Sequence, residues 1–219
     1  MAARLAAAAL LFLGAAPALP AFGPFGRLSF RLSPGVMFNL GGSYDDTSKF
    51  RDIVSLGGGL NLGLRYEVNK NFYLDAAYGY SVMPVKSGAR PFSFRHRDSY
   101  FNLSSASLNA QLYLKSGYPM EPYLTIGGGV YPWVFRSGMF GGSAWPAPAR
   151  PQASLRASSP GINIGFGVEA NLLLRLTALF ELRYTYLFSR DPKRFWTNDL
   201  TQVDFLGISL GVIYYFERR

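Results

Sequence analysis

The chain has one histidine, His96, in the run Arg95-His96-Arg97-Asp98-Ser99, where an imidazole, a carboxylate and a hydroxyl stand within four residues. Those groups are the parts of a nucleophilic triad, in which the hydroxyl attacks, the imidazole takes its proton and the carboxylate orients the ring. Neighbours in an extended segment point to opposite sides, however, and triads are normally assembled from residues remote in sequence. With arginines on both flanks the run therefore reads as a solvated basic loop. No glycine-rich phosphate loop and no histidine cluster of metal-ligand spacing accompanies it, and with no Cys there is no disulfide or thiolate site. No catalytic residue, cofactor or metal is expected, and the chain is not read as an enzyme.

A second set of ionisable residues is distributed differently. Arg31, Arg65, Glu67, Asp75, Glu169, Glu181 and Arg183 each occupy one side of a segment with two-residue alternation. Charges so placed do chemistry only if the elements carrying them bring them together. Those elements belong to a chain of 219 residues with 24 Gly, 14 Pro and a 16% aromatic share. A disordered chain would be poor in aromatics and collagen would carry Gly at every third position, so both are excluded. One domain is expected at this length.

The first residues read as a secretory signal: Arg4 is a basic start, Leu5 to Ala16 an apolar stretch, and Ala16-Pro17-Ala18 or Leu19-Pro20-Ala21 a small-residue cleavage site. Residues 1–21 are thus assigned to the signal, with cleavage near 18 or 21, and 22–219 to the mature domain. Pro17 and Pro20 keep the apolar stretch below the roughly 18 to 20 residues that span a bilayer as a helix. A membrane-embedded mature chain must then be a closed barrel, because lipid cannot satisfy the backbone of an open sheet.

Eight alternating segments follow: Arg27 to Leu40, Ser55 to Val68, Phe72 to Pro84, Tyr100 to Lys115, Pro122 to Phe135, Gly161 to Leu172, Leu176 to Ser189, and Val203 to Phe216. Each exceeds the about 9 to 11 residues a tilted strand needs to cross a bilayer. The links after the second, fourth and sixth are short. The others are long, Arg136 to Pro160 the longest. That regularity predicts an all-β, eight-stranded, antiparallel up-and-down transmembrane barrel, with long loops outside the cell and short turns and both termini in the periplasm.

Side-chain size decides which face is which. Leu60, Leu62, Leu64 and Tyr66 alternate with Gly59, Asn61, Gly63 and Arg65; Phe180 and Leu182 with Glu181 and Arg183; Ile208, Leu210 and Val212 with Ser209 and Gly211. Eight strands enclose a space just wide enough for packed side chains, so the small and polar set is expected inside and the bulky set against lipid. The decisive residues are Leu62, Phe180 and Leu210 outside, with Arg65, Glu181 and Ser209 inside. Phe72, Tyr123, Tyr214 and Phe216 at one rim, and Trp133, Phe135, Tyr186 and Phe188 at the other, are expected to form interfacial aromatic belts. Pro34 and Pro132 each lack a ladder donor, which predicts bulges or strand ends.

The run Pro122 to Tyr131, the hairpin Gly161 to Tyr186 with its Gly165-Phe-Gly-Val-Glu169 core, and the closing strand Ile208 to Phe216 resemble the small Gram-negative outer-membrane β-barrels of the OmpA/OmpX type. The resemblance implies a bacterial outer-membrane location, contact with outer-membrane lipid and lipopolysaccharide, recognition by the barrel-assembly machinery, and a monomer. The grouping around His96 is similar in content to the triad of outer-membrane lipid A deacylases, which leaves a lipid A-modifying hydrolase as one alternative and a narrow channel for small or amphipathic solutes as another.

Inside such a barrel the turn Asn69 to Asn71 sets Arg65 opposite Asp75, near enough for an ion pair. Arg183 is placed to neutralise carboxylates of a neighbouring strand, Glu169 included. The inward charges then form either a gated ion path or a polar core that fixes register. The long links hold much of the positive excess: Lys86, Arg90, Arg95 and Arg97 in the second, Arg136, Arg150 and Arg156 in the third, Arg190, Lys193 and Arg194 in the fourth. Lys86, Arg90, Arg95, Arg97, Lys193 and Arg194 are candidates for contact with anionic lipid or polymer. Export and the lack of a basic helix disfavour nucleic acid. Whether the third link plugs the barrel or projects from it is left open by the sequence.

Overall fold

A segment that alternates large apolar residues with small or polar ones can meet lipid on one side and a narrow interior on the other only as a strand. The computed structural model describes residues 27–43, 49–86, 99–114, 120–147, 150–188 and 201–216. Its strands are β1 (Leu28–Ser43), β2 (Gly57–Asn69), β3 (Phe72–Pro84), β4 (Ser99–Tyr113), β5 (Met120–Ser137), β6 (Pro146–Ala147), β7 (Arg150–Ser154), β8 (Arg156–Leu173), β9 (Leu176–Leu187) and β10 (Thr201–Tyr215), with one short helix, α1 (Phe50–Ile53). The segments of the sequence reading recur with shifted ends. The largest shift is in the third long link, where β5 runs on to Ser137 and β8 begins at Arg156, so part of the expected loop is wall. The signal segment lies outside the described residues.

Eight of these strands close an antiparallel barrel in the order β1-β10-β9-β8-β5-β4-β3-β2, while β6 and β7 form a separate ribbon. Pairing of β1 with β10 seals the cylinder, from Ser29 opposite Tyr215 to Ser43 opposite Thr201. The strand ends joined by 70–71, 114–119 and 174–175 lie at one end of the barrel, and those joined by 44–56, 85–98, 138–155 and 188–200 at the other. At the short-turn end the Asn69 side chain accepts the Asn71 N–H at 3.0 Å, a local turn made by the asparagine itself.

The faces fall as side-chain size predicts. Leu62, Phe180 and Leu210 are 36%, 37% and 64% exposed on the outer wall, whereas Arg65, Glu181 and Ser209 are buried inside. Three aromatics correct the belt expectation: Tyr123, Trp133 and Phe135 are buried in the lumen. They share the odd parity of Thr125, Gly127 and Gly129 on β5, and alternation overrides an aromatic ring's preference for the interface. Phe72, Tyr186, Tyr214 and Phe216 are half-buried, and Phe188 is exposed.

The prolines make neither bulges nor strand ends. Pro34 pairs opposite Leu60 on β2 and Pro132 opposite Ser158 on β8, each in unbroken register. On its other side each leaves a gap, between Leu32 and Gly35 in the ladder to β10, and between Val130 and Trp133 in the ladder to β4. The missing donor costs hydrogen bonds on one edge while the wider sheet holds the register.

Candidate functional site

The interior is the one place where all eight barrel strands present side chains to one another, and it divides into three levels. At the short-turn end lies a network of charges and tyrosines. Arg31 of β1 reaches Asp75 of β3 through Nη2 at 2.8 Å and Glu181 of β9 through Nη1 at 3.1 Å. Glu181 also takes the Arg183 guanidinium at 2.7 Å and the Tyr123 hydroxyl of β5 at 2.7 Å, and Asn109 of β4 donates to Asp75 at 3.2 Å. Beside this group, Arg65 of β2 donates to Glu169 of β8 at 2.8 Å and to the Tyr113 hydroxyl. Tyr113 donates in turn to Glu169, as does Tyr215 of β10 at 3.1 Å. The Arg65 guanidinium carbon lies 5.0 Å from the Tyr73 ring centre and 5.6 Å from that of Tyr113, which adds cation–π contact.

Three guanidinium groups thus meet three carboxylates, and all six but Arg183 are buried. A buried ion is tolerable only when paired and hydrogen-bonded, because its desolvation otherwise costs several kcal/mol. Each ion of the network has an opposite charge within 3.1 Å, although Arg31 Nε, Arg65 Nε, Arg183 Nε and Asp75 Oδ1 are buried without a hydrogen bond among the described residues. The network fixes register, since a one-residue slip of any strand would turn its group toward lipid. Space for the rings comes from glycine: at Gly167 an added Cβ would overlap the Tyr123 ring.

The partners differ in part from those expected. Arg65 does stand opposite Asp75 in the ladder, yet Asp75 pairs with Arg31 and Arg65 turns to Glu169. Arg183 bonds Glu181 of its own strand instead of Glu169. Glu67 is half-buried near the rim, and among the described residues no bond joins it to the network. The tyrosines Tyr73, Tyr113, Tyr123 and Tyr215 were not assigned to the site from sequence, although their odd positions placed each on the inward face.

Above the network the wall is lined by small residues, among them Gly35, Gly59, Ser81, Ser105, Gly207 and Ser209, around a cavity of about 50 Å³. That space takes a few water molecules, within reach of the half-buried Arg183. The third level is apolar. Met83, Phe101, Leu103, Trp133, Phe135, Leu187, Val203 and Phe205 point inward and are buried. An entirely small and polar lumen was the expectation, and this half of the barrel departs from it.

The plug of that half comes from two links. In α1, Phe50 and Ile53 are one helical turn apart and both are buried. The Phe50 ring meets Phe101, Phe135 and Phe205 edge-on, at centroid distances of 5.1, 6.3 and 6.2 Å. Lys86 clasps the helix from the second link, its Nζ donating to the Arg51 carbonyl at 2.7 Å and its backbone N–H to Ile53 at 2.8 Å. The third link adds Trp145, stacked on Phe135 at 6.3 Å, and Leu155. Those two residues of the link therefore belong to the plug.

Of the basic candidates, only Lys86 is within the described residues. Arg90, Arg95, Arg97, Lys193 and Arg194 lie outside them, as does His96. Among the described residues no group of three or more His, Cys, Asp or Glu is placed to hold a metal ion.

Solved structures share this architecture at low identity. Neisserial surface protein A superposes with a TM-score of 0.58 at 15% identity over 86% of this chain and 97% of that one. Ail of Yersinia pestis, crystallised with the heparin analogue sucrose octasulfate, gives 0.50 at 17% over 88% and 99%. OprG of Pseudomonas aeruginosa gives 0.50 at 18% over 88% and 97%. No curated protein matches the sequence. The family profile described as outer membrane protein beta-barrel domain matches residues 5–216, and with the closed eight-stranded cylinder this establishes that the chain belongs to that family of outer-membrane β-barrel proteins.

Proposed function

We propose that the protein is a non-enzymatic, non-conducting barrel of the bacterial outer membrane, its long-link rim facing outward and both chain ends periplasmic. Its work is membrane integrity, or contact with anionic polymers and lipopolysaccharide through the basic links. The filled interior carries this reading: ion pairs occupy one level, rings another, and the space between them holds about 50 Å³. An eight-stranded cylinder has no width to spare beyond its packed side chains. In planar bilayers the refolded protein is expected to give no single-channel steps, and stable ohmic steps would overturn the proposal. Heparin serves as a polyanion probe for surface contact. Retention that fades with rising salt is expected, and no retention at low salt overturns that part.

A second reading rests on the aromatic outer level. Rings at the mouth suit an apolar solute better than an ion, so a narrow path for small amphipathic molecules is the competing role. Faster uptake of a small apolar dye by proteoliposomes than by empty liposomes would favour it.

A further inference from the structure

The turn Ser137–Ser143 leaves β5 and folds down the outside of the wall instead of across the mouth. It is closed by the Ser137 N–H donating to the Ser143 carbonyl at 3.0 Å, and Gly138 and Gly141 hold φ of +89° and +145°. Those angles favour glycine and commit the backbone to a sharp reversal. Asn102, an outward residue of β4, donates through Nδ2 to the Met139 carbonyl at 3.3 Å and to the Tyr80 hydroxyl at 2.6 Å. The Phe140 ring stacks on Tyr80, with centroids 6.5 Å apart and planes at 29°.

Tyr80 shares its rung with Leu60. Leu60 and Tyr78, the next outward residue of β3, are both exposed on the lipid-facing wall. The turn thus sets an apolar tip at the depth of the apolar belt, with Phe140 77% and Met139 45% exposed. The same turn buries the Asn102 amide, which would otherwise face hydrocarbon at a cost of several kcal/mol.

Higher on the wall, two and three strands along from Tyr80, the belt ends on arginine. The outward residues of β5 run apolar from Leu124 through Ile126, Val130 and Pro132 to Val134, and Arg136 follows. Val134 pairs opposite Arg156 of β8, so Arg136 and Arg156 are diagonal neighbours on the outer face, roughly 7–8 Å apart. Arg156 is exposed and Arg136 is half-buried, its Nε covered and its outer guanidinium nitrogens left to meet a ligand. Paired guanidinium forks at the edge of hydrocarbon match a phosphate, which they bind in bidentate fashion.

We propose that this face of β3, β4, β5 and β8 binds a phosphorylated acyl lipid of the outer leaflet. Arg136 and Arg156 grip its phosphate, and Met139 and Phe140 dip among its chains. The inference rests on the long-link rim facing outward, as proposed above, and does not depend on whether the barrel conducts.

The chain has no cysteine, so Phe140→Cys takes a single nitroxide. In liposomes that contain lipid A the label is expected to collide with oxygen and to be shielded from a water-soluble nickel chelate, as a label at Tyr78→Cys would be. Free access of the chelate overturns the dipping turn. In native mass spectrometry, bisphosphorylated lipid A is expected to stay bound to the unaltered protein about tenfold better than its dephosphorylated form, the scale of one or two charge-assisted bonds. The Arg136→Gln, Arg156→Gln double variant is expected to lose that preference. Equal binding of the two lipids by the unaltered protein overturns the phosphate grip whether or not the variant folds, and displacement by millimolar inorganic phosphate would show a free anion site instead. A separate Lys193→Cys variant, in the link between β9 and β10, is tested on intact cells with an impermeant thiol reagent. Failure to label overturns the orientation, and with it the outer-leaflet assignment, while leaving the lipid measurements to speak for the wall itself.

Discussion

The two ends of the lumen fill the same cylinder with opposite chemistry. At the short-turn end, guanidinium groups, carboxylates and tyrosines from all eight strands meet at hydrogen-bond distances. At the long-link end, rings and aliphatic side chains pack around a helix of four residues. The difference follows from what holds each end. Short turns fix the relative height of neighbouring strands, so directional bonds, which weaken steeply with misalignment, can be aimed across the lumen. Long links do not fix geometry so closely, and the filler they supply, Phe50, Ile53 and Trp145, is held by apolar contact, which is non-directional.

The sharpest way to break the contrast is to remove one ion. Arg65→Met leaves Glu169 buried with no guanidinium, and about 3–5 kcal/mol of destabilisation is expected, read as a lower urea midpoint in micelles. Adding Glu169→Gln should recover much of that loss, and a double variant no better than the single would contradict the ion-pair account. Phe50→Ala opens a hole at the other end. Substitutions of this kind cost about 3–5 kcal/mol in a rigid core, and the lower part of that range is expected here because a link can collapse. Hydrogen exchange should rise in residues 49–54 and stay unchanged around Arg65; a rise in both places would mean the two ends are not independent.

Gly167→Ala tests how tightly the charged end is packed. The added methyl meets the Tyr123 ring, and about 1–3 kcal/mol of loss is expected, with Tyr123→Phe alone failing to relieve it because the ring remains. Lys86→Ala is expected to have the smallest effect. It removes one exposed bond to Arg51, a loss of about 0.5–1.5 kcal/mol at most, confined to faster exchange in α1.

Much of this contrast was legible along one axis only. Alternation and link length are local properties, so the strands, their order and the inward side of Arg31, Asp75, Glu169 and Glu181 could be read from them. Which carboxylate each arginine takes depends on contacts across the lumen between strands remote in sequence, and the ladder alone put Arg65 with the wrong acid. The inward tyrosines were readable from parity, but Tyr123 was grouped by residue type with the interfacial rings and Tyr73, Tyr113 and Tyr215 were not singled out. Phe50 and Ile53 left a faint signal, two apolar residues one helical turn apart with Val54 beside them, and nothing local says that such a pair will turn inward.

The charged level also bears on how the cylinder is made. Arg31 sits on the first strand, its acids on the third and ninth, so the two halves of its neutralisation come from opposite sides of the seam between the chain's ends. A partly zipped sheet would strand that guanidinium at an open edge with half its counter-charge. Sealing of the wall and quenching of the charge are therefore a single event, and incomplete barrels carry an electrostatic penalty that finished ones do not.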